Sequence, residues 1–214
     1  MKIGMIMLAA GNSRRFGSNK LLYQVEGVPL YVRTLQRLMR AKERLENRKE
    51  ELLAEGGLRK GEELCLSVTV VTQYQEIYEA AKRAGARAFY NPRPQDGISS
   101  SLKIGLKENL EADACLFAVS DQPWVREETL EALLRLFLIS GKGMASLSHK
   151  GTPGNPCVFS SAYYPELMAL LGDAGGKRVL MGHLEDADFL EVEEGQELTD
   201  LDVRPQEEAK NGLV

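Results

Sequence analysis

The chain has 214 residues, 43% of them hydrophobic and 27% charged, with a net charge of −4 and an isoelectric point near 5.4. This is the composition of a globular protein long enough to bury a substantial core. The acidic balance excludes a general nucleic-acid or anionic-membrane surface, because both rest on a dense basic field. No apolar run approaches bilayer length, and the first residues pass directly into a strand with no basic leader or cleavage site, so one cytoplasmic domain spanning 1–214 is expected.

The first element is an apolar run, Ile3 to Leu8, which reads as a short buried strand and breaks into Ala9, Ala10 and Gly11. Asn12, Ser13, Arg14, Arg15, Phe16, Gly17 and Lys20 follow. Bare backbone leading into donors and cations is how a chain meets phosphate oxygens. It is not a Walker loop, since Gly17 is followed by Ser18 and Asn19 before Lys20, and no G-x-G-x-x-G is present. Leu30 then begins a helical pattern through Val32, Leu35, Leu38 and Met39. The strongly charged stretch at 41–63, broken at Gly56-Gly57, is expected to be an exposed helical extension, either a solvated helix or a surface for a partner or a second copy.

Cys65 to Thr72 is rich in β-branched residues and reads as a strand, Gln75 to Ala84 as a helix and Arg87 to Tyr90 as a third strand. This alternation predicts a three-layer α/β/α fold with a mostly parallel central sheet, in which ligands gather beyond the carboxyl ends of the strands. Asn91 to Gly97 is a loop at such an end. Ser99, Ser100 and Ser101 open a helical stretch through Leu102, Leu106 and Leu110, with Ser99 the expected N-cap. The bounded apolar run Ala114 to Val119 reads as a central strand ending in Ser120-Asp121-Gln122-Pro123. Asp121 at that tip is placed either to bind Mg²⁺ or to cap the following turn. Trp124 packs beside the pocket or within the core.

Thr129 to Leu138 is an amphipathic helix and Gly143 to Leu147 a strand. Lys150 to Pro156 reads as a glycine and proline turn leading into Cys157-Val158-Phe159, and Tyr164 to Leu171 as a short helix. The glycine-rich turn from Gly172 to Arg178 carries cations, and Asp173 in it reads either as part of a ligand site or as a helix N-cap. Phe189 to Val192 is a late strand, and Ala209 to Val214 should fray. His149 and His183 lack metal-ligand spacing. Cys65, Cys115 and Cys157 lack C-x-x-C spacing, so neither a disulfide framework nor a zinc site is expected; Cys65 and Cys115 read as small core residues.

The pattern L-A-A-G-x-S-x-R-F-G-x-x-K, Leu8 to Lys20, resembles the signature of nucleotidyltransferases with a GT-A-like, Rossmann-like fold, most closely the molybdenum cofactor cytidylyltransferases. The resemblance implies that Leu8, Ala9, Ala10 and Gly11 contact the nucleotide, that Arg15 grips the triphosphate, and that Lys20 neutralises charge at the scissile phosphate. It places Gly97 and Ser101, within N-P-x-x-x-x-G-x-S-S-S-L, at the base. Asp121 would hold Mg²⁺, joined by Asp200 or Asp202 from a segment similar to the family's D-I-D-T-P-E-D ending. Gly154, Asn155 and Pro156 resemble the loop on the second-substrate side, where Asn155 stands in place of a frequent His. Gly172, Asp173 and Lys177 resemble a loop suited to an anionic phosphorylated pterin.

The implied reaction moves CMP from CTP to molybdenum-molybdopterin, giving molybdopterin cytosine dinucleotide and pyrophosphate, with a molybdenum hydroxylase to receive the product. The choice of CTP rests on LAAG where guanylyl relatives carry LAGG; the extra methyl at Ala10 narrows the base pocket, a difference of about 1–3 kcal/mol. Two other readings stand beside it. One is a transferase acting on a sugar phosphate or related phosphate, against which the G-x-x-G-N-P and G-D-x-G loops argue. The other is a non-catalytic nucleotide-binding chaperone that delivers cofactor to a hydroxylase.

Overall fold

The computed structural model describes residues 1–11, 16 and 19–202. The first strand, β1 (Lys2–Ala9), is buried from Ile3 to Ala9, and a strand apolar on both sides belongs where a sheet is covered twice. After the glycine turn, a short antiparallel pair, β2 (Gln24–Val25) and β3 (Val28–Pro29), leads into α1 (Leu30–Asn47), closely followed by α2 (Lys49–Ala54). Next come β4 (Cys65–Thr72), α3 (Gln75–Arg83), β5 (Arg87–Tyr90), α4 (Ile98–Lys107), β6 (Ala114–Val119) and α5 (Glu127–Ser140). The hairpin of β7 (Met144–His149) and β8 (Thr152–Ser160), the short helices α6 (Tyr164–Ala169) and α7 (Lys177–Leu180), and β9 (Ala187–Glu191) complete the described elements.

Seven strands form one sheet in the order β5-β4-β1-β6-β8-β7-β9. β8 runs antiparallel to both its neighbours, and the other pairings are parallel. Two apolar clusters sandwich the sheet. Ile3, Met5 and Met7 of β1 face Leu35 and Leu38 of α1, Ile77 of α3 and Leu133 of α5 on one side. Ile6 and Leu8 face Leu102 and Leu106 of α4, Leu167 of α6 and Leu180 of α7 on the other. The odd and even side chains of a single strand thus build both cores, as the two-residue period of a strand requires. The expected three-layer architecture is present.

The charged stretch at 41–63 differs from its expected exposed form. α1 runs straight into it, and Ala41, Leu45, Leu52 and Leu58 are buried in the first core. Several of its charges pair with α5. Arg44 Nε lies 2.7 Å and Arg48 Nη1 3.0 Å from the Glu131 carboxylate, whose side chain is only 4% exposed. Arg135 reaches back to Glu51 at 3.3 Å and Glu55 at 2.5 Å. A carboxylate so buried is tolerated because it is paired.

Two smaller expectations also change, and a third, for Trp124, is met by one of its alternatives. Residues 152–156 belong to β8, the turn shrinking to Lys150-Gly151, and a register shift at Ser146/Leu147 leaves Asn155 and Pro156 without partners on β7. Cys65, at the start of β4, is exposed, while Cys115 and Cys157 are buried. Trp124 packs with Phe16, Leu30 and Leu201 in a third small cluster.

Leu52 is fully buried, so Leu52→Ala should cost about 2–5 kcal/mol of stability. A urea titration checks this as a fall in midpoint without a change in slope. An appendage free of the core would lose less than about 0.5 kcal/mol.

Candidate functional site

β4 lies on one side of β1 and β6 on the other, so the chain reverses its direction of strand addition at β1. In open α/β sheets the ligand crevice opens at such a point, outside the carboxyl ends of the two strands. A cleft of about 340 Å³ is found there, lined by Leu8, Ala10 and Gly11 after β1, by Val119, Ser120 and Asp121 after β6, and by Lys20. Pro94, Gln95, Gly97, Ile98 and Ser101 form another wall, and Asp173 closes the far side. The volume suits one nucleotide-sized ligand.

The glycine turn is held by its acceptors. The Leu8 carbonyl accepts from both the amide (3.2 Å) and the hydroxyl (2.8 Å) of Ser120. The Ala9, Ala10 and Gly11 carbonyls accept from Thr72 Oγ1, Gln73 Nε2 and Tyr74 OH, each at 2.8 Å. Among the described residues, a Cβ placed on Gly11 would meet nothing within 4 Å.

Lys20 begins a 3₁₀ turn, Lys20–Leu22, with Asn19 Oδ1 accepting from the Leu21 amide at 3.1 Å. Its ammonium donates to Asp121 Oδ2 at 2.7 Å and Asp202 Oδ1 at 3.2 Å. Burial alone would lower its pKa, but the charges and hydrogen bonds of Asp121 and Asp202 outweigh it and hold the group above the usual lysine value. The cation therefore persists throughout the physiological range. Asp200 turns to Gln122, whose Nε2 is 2.9 Å from its Oδ1. Burial, then the neighbouring Asp121 charge, raise the Asp200 pKa, an electrostatic load that a further cation would relieve.

Among the described residues no three His, Cys, Asp or Glu side chains are grouped to hold a metal ion by themselves. Mg²⁺ does not need such a set, since it takes one or two carboxylates with phosphate oxygens and water. Asp121 and Asp202, which meet at one ammonium, fit that requirement, with Asp200 standing behind them. The amide of Leu201 donates to the Asp121 carbonyl at 2.8 Å and so fixes the late acidic segment beside β6.

Gly97 joins two walls. It has φ +85°, and a Cβ there would lie 2.3 Å from the Gly172 carbonyl carbon and 2.7 Å from Asp173 Oδ1. The Ser99 amide donates to the Gly172 carbonyl at 3.1 Å. Ser99 is thus inside α4, whose cap is Gly97, and not the expected N-cap; Asp173 likewise does not cap α7, where Gly176 holds that place. The Ser101 hydroxyl accepts from Asn91 Nδ2 at 2.8 Å.

Of the sequence-predicted residues, Leu8, Ala10, Gly11, Lys20, Gly97, Ser101, Asp121 and Asp173 share the cleft. Ala9 is buried in the sheet core and Gly172 touches the cleft wall through Gly97. Because β8 is antiparallel, Gly154, Asn155 and Pro156 at its start come to the cleft end of the sheet, but they do not line the cleft; Gly154 backs onto Leu198 and Pro156 stands near Gln122 and Val119. Lys177 opens α7 at the surface. Arg15 lies outside the described residues. Ser120, Gln122 and the run Thr72-Gln73-Tyr74 were not singled out in the sequence, and the only signal for them was their position at strand ends.

A strand-order reversal with a glycine turn on one side and an acid–lysine cluster on the other defines a nucleotide-binding α/β protein. The chain belongs to the family of the MobA-like NTP transferase domain, whose model matches residues 5–187; it is a nucleotidyltransferase. Among its relatives, the purine catabolism protein PucB of Bacillus subtilis is 29% identical over 198 residues, 92% of this chain and 90% of that protein. A probable molybdenum cofactor guanylyltransferase of Thermococcus sibiricus is 49% identical over 37 residues, 17% of this chain and 19% of that one. The crystal structure of molybdopterin-guanine dinucleotide biosynthesis protein A from Archaeoglobus fulgidus shares the fold, with a TM-score of 0.56 at 17% identity over 95% of this chain and 93% of that one.

Gly97→Ala should destabilise the protein by more than about 1 kcal/mol, since alanine at positive φ is strained even before the Gly172 contact is counted. Thermal unfolding checks this, and an unchanged midpoint would show that the two walls do not depend on that approach.

Proposed function

We propose that the protein transfers CMP from CTP to the terminal phosphate of molybdenum-bound molybdopterin, releasing pyrophosphate and giving molybdopterin cytosine dinucleotide. The observation that carries this reading is Lys20, held between Asp121 and Asp202 at 2.7 Å and 3.2 Å in a cleft that also contains the Ala10-Gly11 turn. A triphosphate entering that cleft meets backbone donors and a cation on the side where charge develops. Bound with the triphosphate, Mg²⁺ would offset the charge building on the leaving oxygens, and Asp121 with Asp202 or Asp200 would hold it.

An oxygen of the acceptor phosphate forms a bond to the α-phosphorus in line with the departing group, and the bond to the β-bridging oxygen breaks, its electron pair leaving with pyrophosphate. The attacking oxygen is already anionic, so no general base is required. In this reading Lys20 serves the α-phosphate, the Gly11 turn the β- and γ-phosphates, and Gly97 with Ser101 the base; the family resemblance gives Arg15, outside the described residues, the role of gripping the triphosphate. The acceptor side is assigned to Asp173, which lines the cleft, with Gly172 beside it; the resemblance adds Gly154, Asn155, Pro156 and Lys177, which lie outside the cleft lining. A molybdenum hydroxylase receives the product.

GMP transfer from GTP is the second reading, supported by the name of the Thermococcus sibiricus relative. Ala10, whose methyl lies at the cleft, is the residue argued to narrow the pocket toward the smaller base. Incubating the protein with molybdopterin, Mg²⁺ and each NTP in turn, and measuring pyrophosphate, separates the readings. CTP should be the productive nucleotide and chelation of Mg²⁺ should stop release. Release with GTP and not CTP would overturn the base assignment. Asp121→Ala and Lys20→Ala should each lower turnover by about a hundredfold or more while unfolding as cooperatively as the parent, and parental rates in either would overturn their roles.

A further inference from the structure

The pairing of β1 with β4 ends at Ala9 opposite Thr72. Beyond that point the ladder is continued by side chains, in register. Thr72 donates to the Ala9 carbonyl, Gln73 to the Ala10 carbonyl and Tyr74 to the Gly11 carbonyl, each across 63 positions of sequence and each at 2.8 Å. The three donors brace one another: the Thr72 hydroxyl accepts from the Tyr74 amide at 3.1 Å, and Gln73 Nε2 also donates to Tyr74 OH at 3.3 Å. Burial raises the Tyr74 pKa, so its hydroxyl remains a donor.

A trans peptide is planar and points its C=O and the following N–H in opposite directions. Drawing the Ala9 and Ala10 carbonyls to the β4 side therefore turns the amides of Ala10 and Gly11 away from it. Both residues line the cleft, and none of Thr72, Gln73 and Tyr74 does. Successive amides on one side of a turn form an anion nest, whereas a flipped peptide would present a carbonyl that repels a phosphate. Ordering two long side chains at the rim of a sheet costs rotamer freedom, and the geometry shows what that ordering secures.

We propose that Gln73 and Tyr74 are positioning residues for nucleotide binding, locking the Ala10-Gly11 turn with its amides toward the triphosphate. This rests on the reading that the turn meets the phosphates. Neither residue touches the ligand. Their contribution falls on the phosphate tail, because the amides they orient are the ones read as meeting the phosphates.

The test measures equilibrium binding of each of the four NTPs and the matching monophosphates, with Mg²⁺, to the full chain and to Tyr74→Phe, Gln73→Leu and Gln73→Glu. Tyr74→Phe and Gln73→Leu each remove a donor and keep the bulk, so the affinity for the best-bound NTP should fall about 3–10-fold, while monophosphate affinity and melting temperature stay near the parent's. Gln73→Glu, which puts an acceptor against the Ala10 carbonyl, should fall further than Gln73→Leu. If the parent binds an NTP and the variants match it, or lose NTP and monophosphate affinity alike, the positioning role is wrong and the nucleotide reading stands. If the parent binds none of the four NTPs, that reading fails and the positioning role fails with it.

Discussion

From Leu8 to Gly11 every carbonyl of the turn after β1 already has a donor: Ser120 for the first, then Thr72, Gln73 and Tyr74. A segment whose acceptors are committed has only donors left to offer, and that constraint makes this end of the sheet a place for anions. The rest of the fold serves it. β1 is buried on both faces between β4 and β6, so the two strand ends that supply these donors are fixed by the sheet ladders, and the turn inherits their rigidity. The two hydrogen bonds that Ser120 donates to the Leu8 carbonyl also set the distance between the turn and Asp121 one residue later.

Electrostatics complete the arrangement at close quarters. The chain as a whole is acidic, and Lys20 holds its charge inside the cleft because Asp121 and Asp202 compensate its burial. The same acids burden Asp200, which is partly relieved by Gln122. A lysine that is satisfied by carboxylates in the free protein can exchange them for phosphate oxygens, provided another cation takes over the carboxylates. Such an exchange leaves neither the ammonium nor the carboxylates in a buried site without an opposite charge.

The sequence was legible where a structural element depends on its own residues. The β-branched run Cys65 to Thr72 and the apolar run Ala114 to Val119 are strands with those bounds, and the strand and helix alternation gave the layers and the position of the cleft. The stretch at 41–63 misled because its many charges hide a sparse apolar row; Leu45 and Leu52 are seven apart, two helical turns, and that spacing was the available signal of a buried face. At 152–156 glycine and proline mimic a turn, and only the pairing with β7 and its register shift make it a strand. Thr72, Gln73 and Tyr74 were unreadable as a group, since their partners lie 63 residues away and short-range patterns carry no trace of such contacts.

The bond from Leu201 to the backbone of Asp121 brings the order of synthesis into the account. Lys20 and Asp121 are synthesised well before Asp202, and until the late segment docks only one of these two carboxylates is present for the ammonium where the finished protein gives it two. The segment that fastens beside Asp121 acts as a late clasp, so the final pairing of the ammonium waits until that segment has left the ribosome and docked.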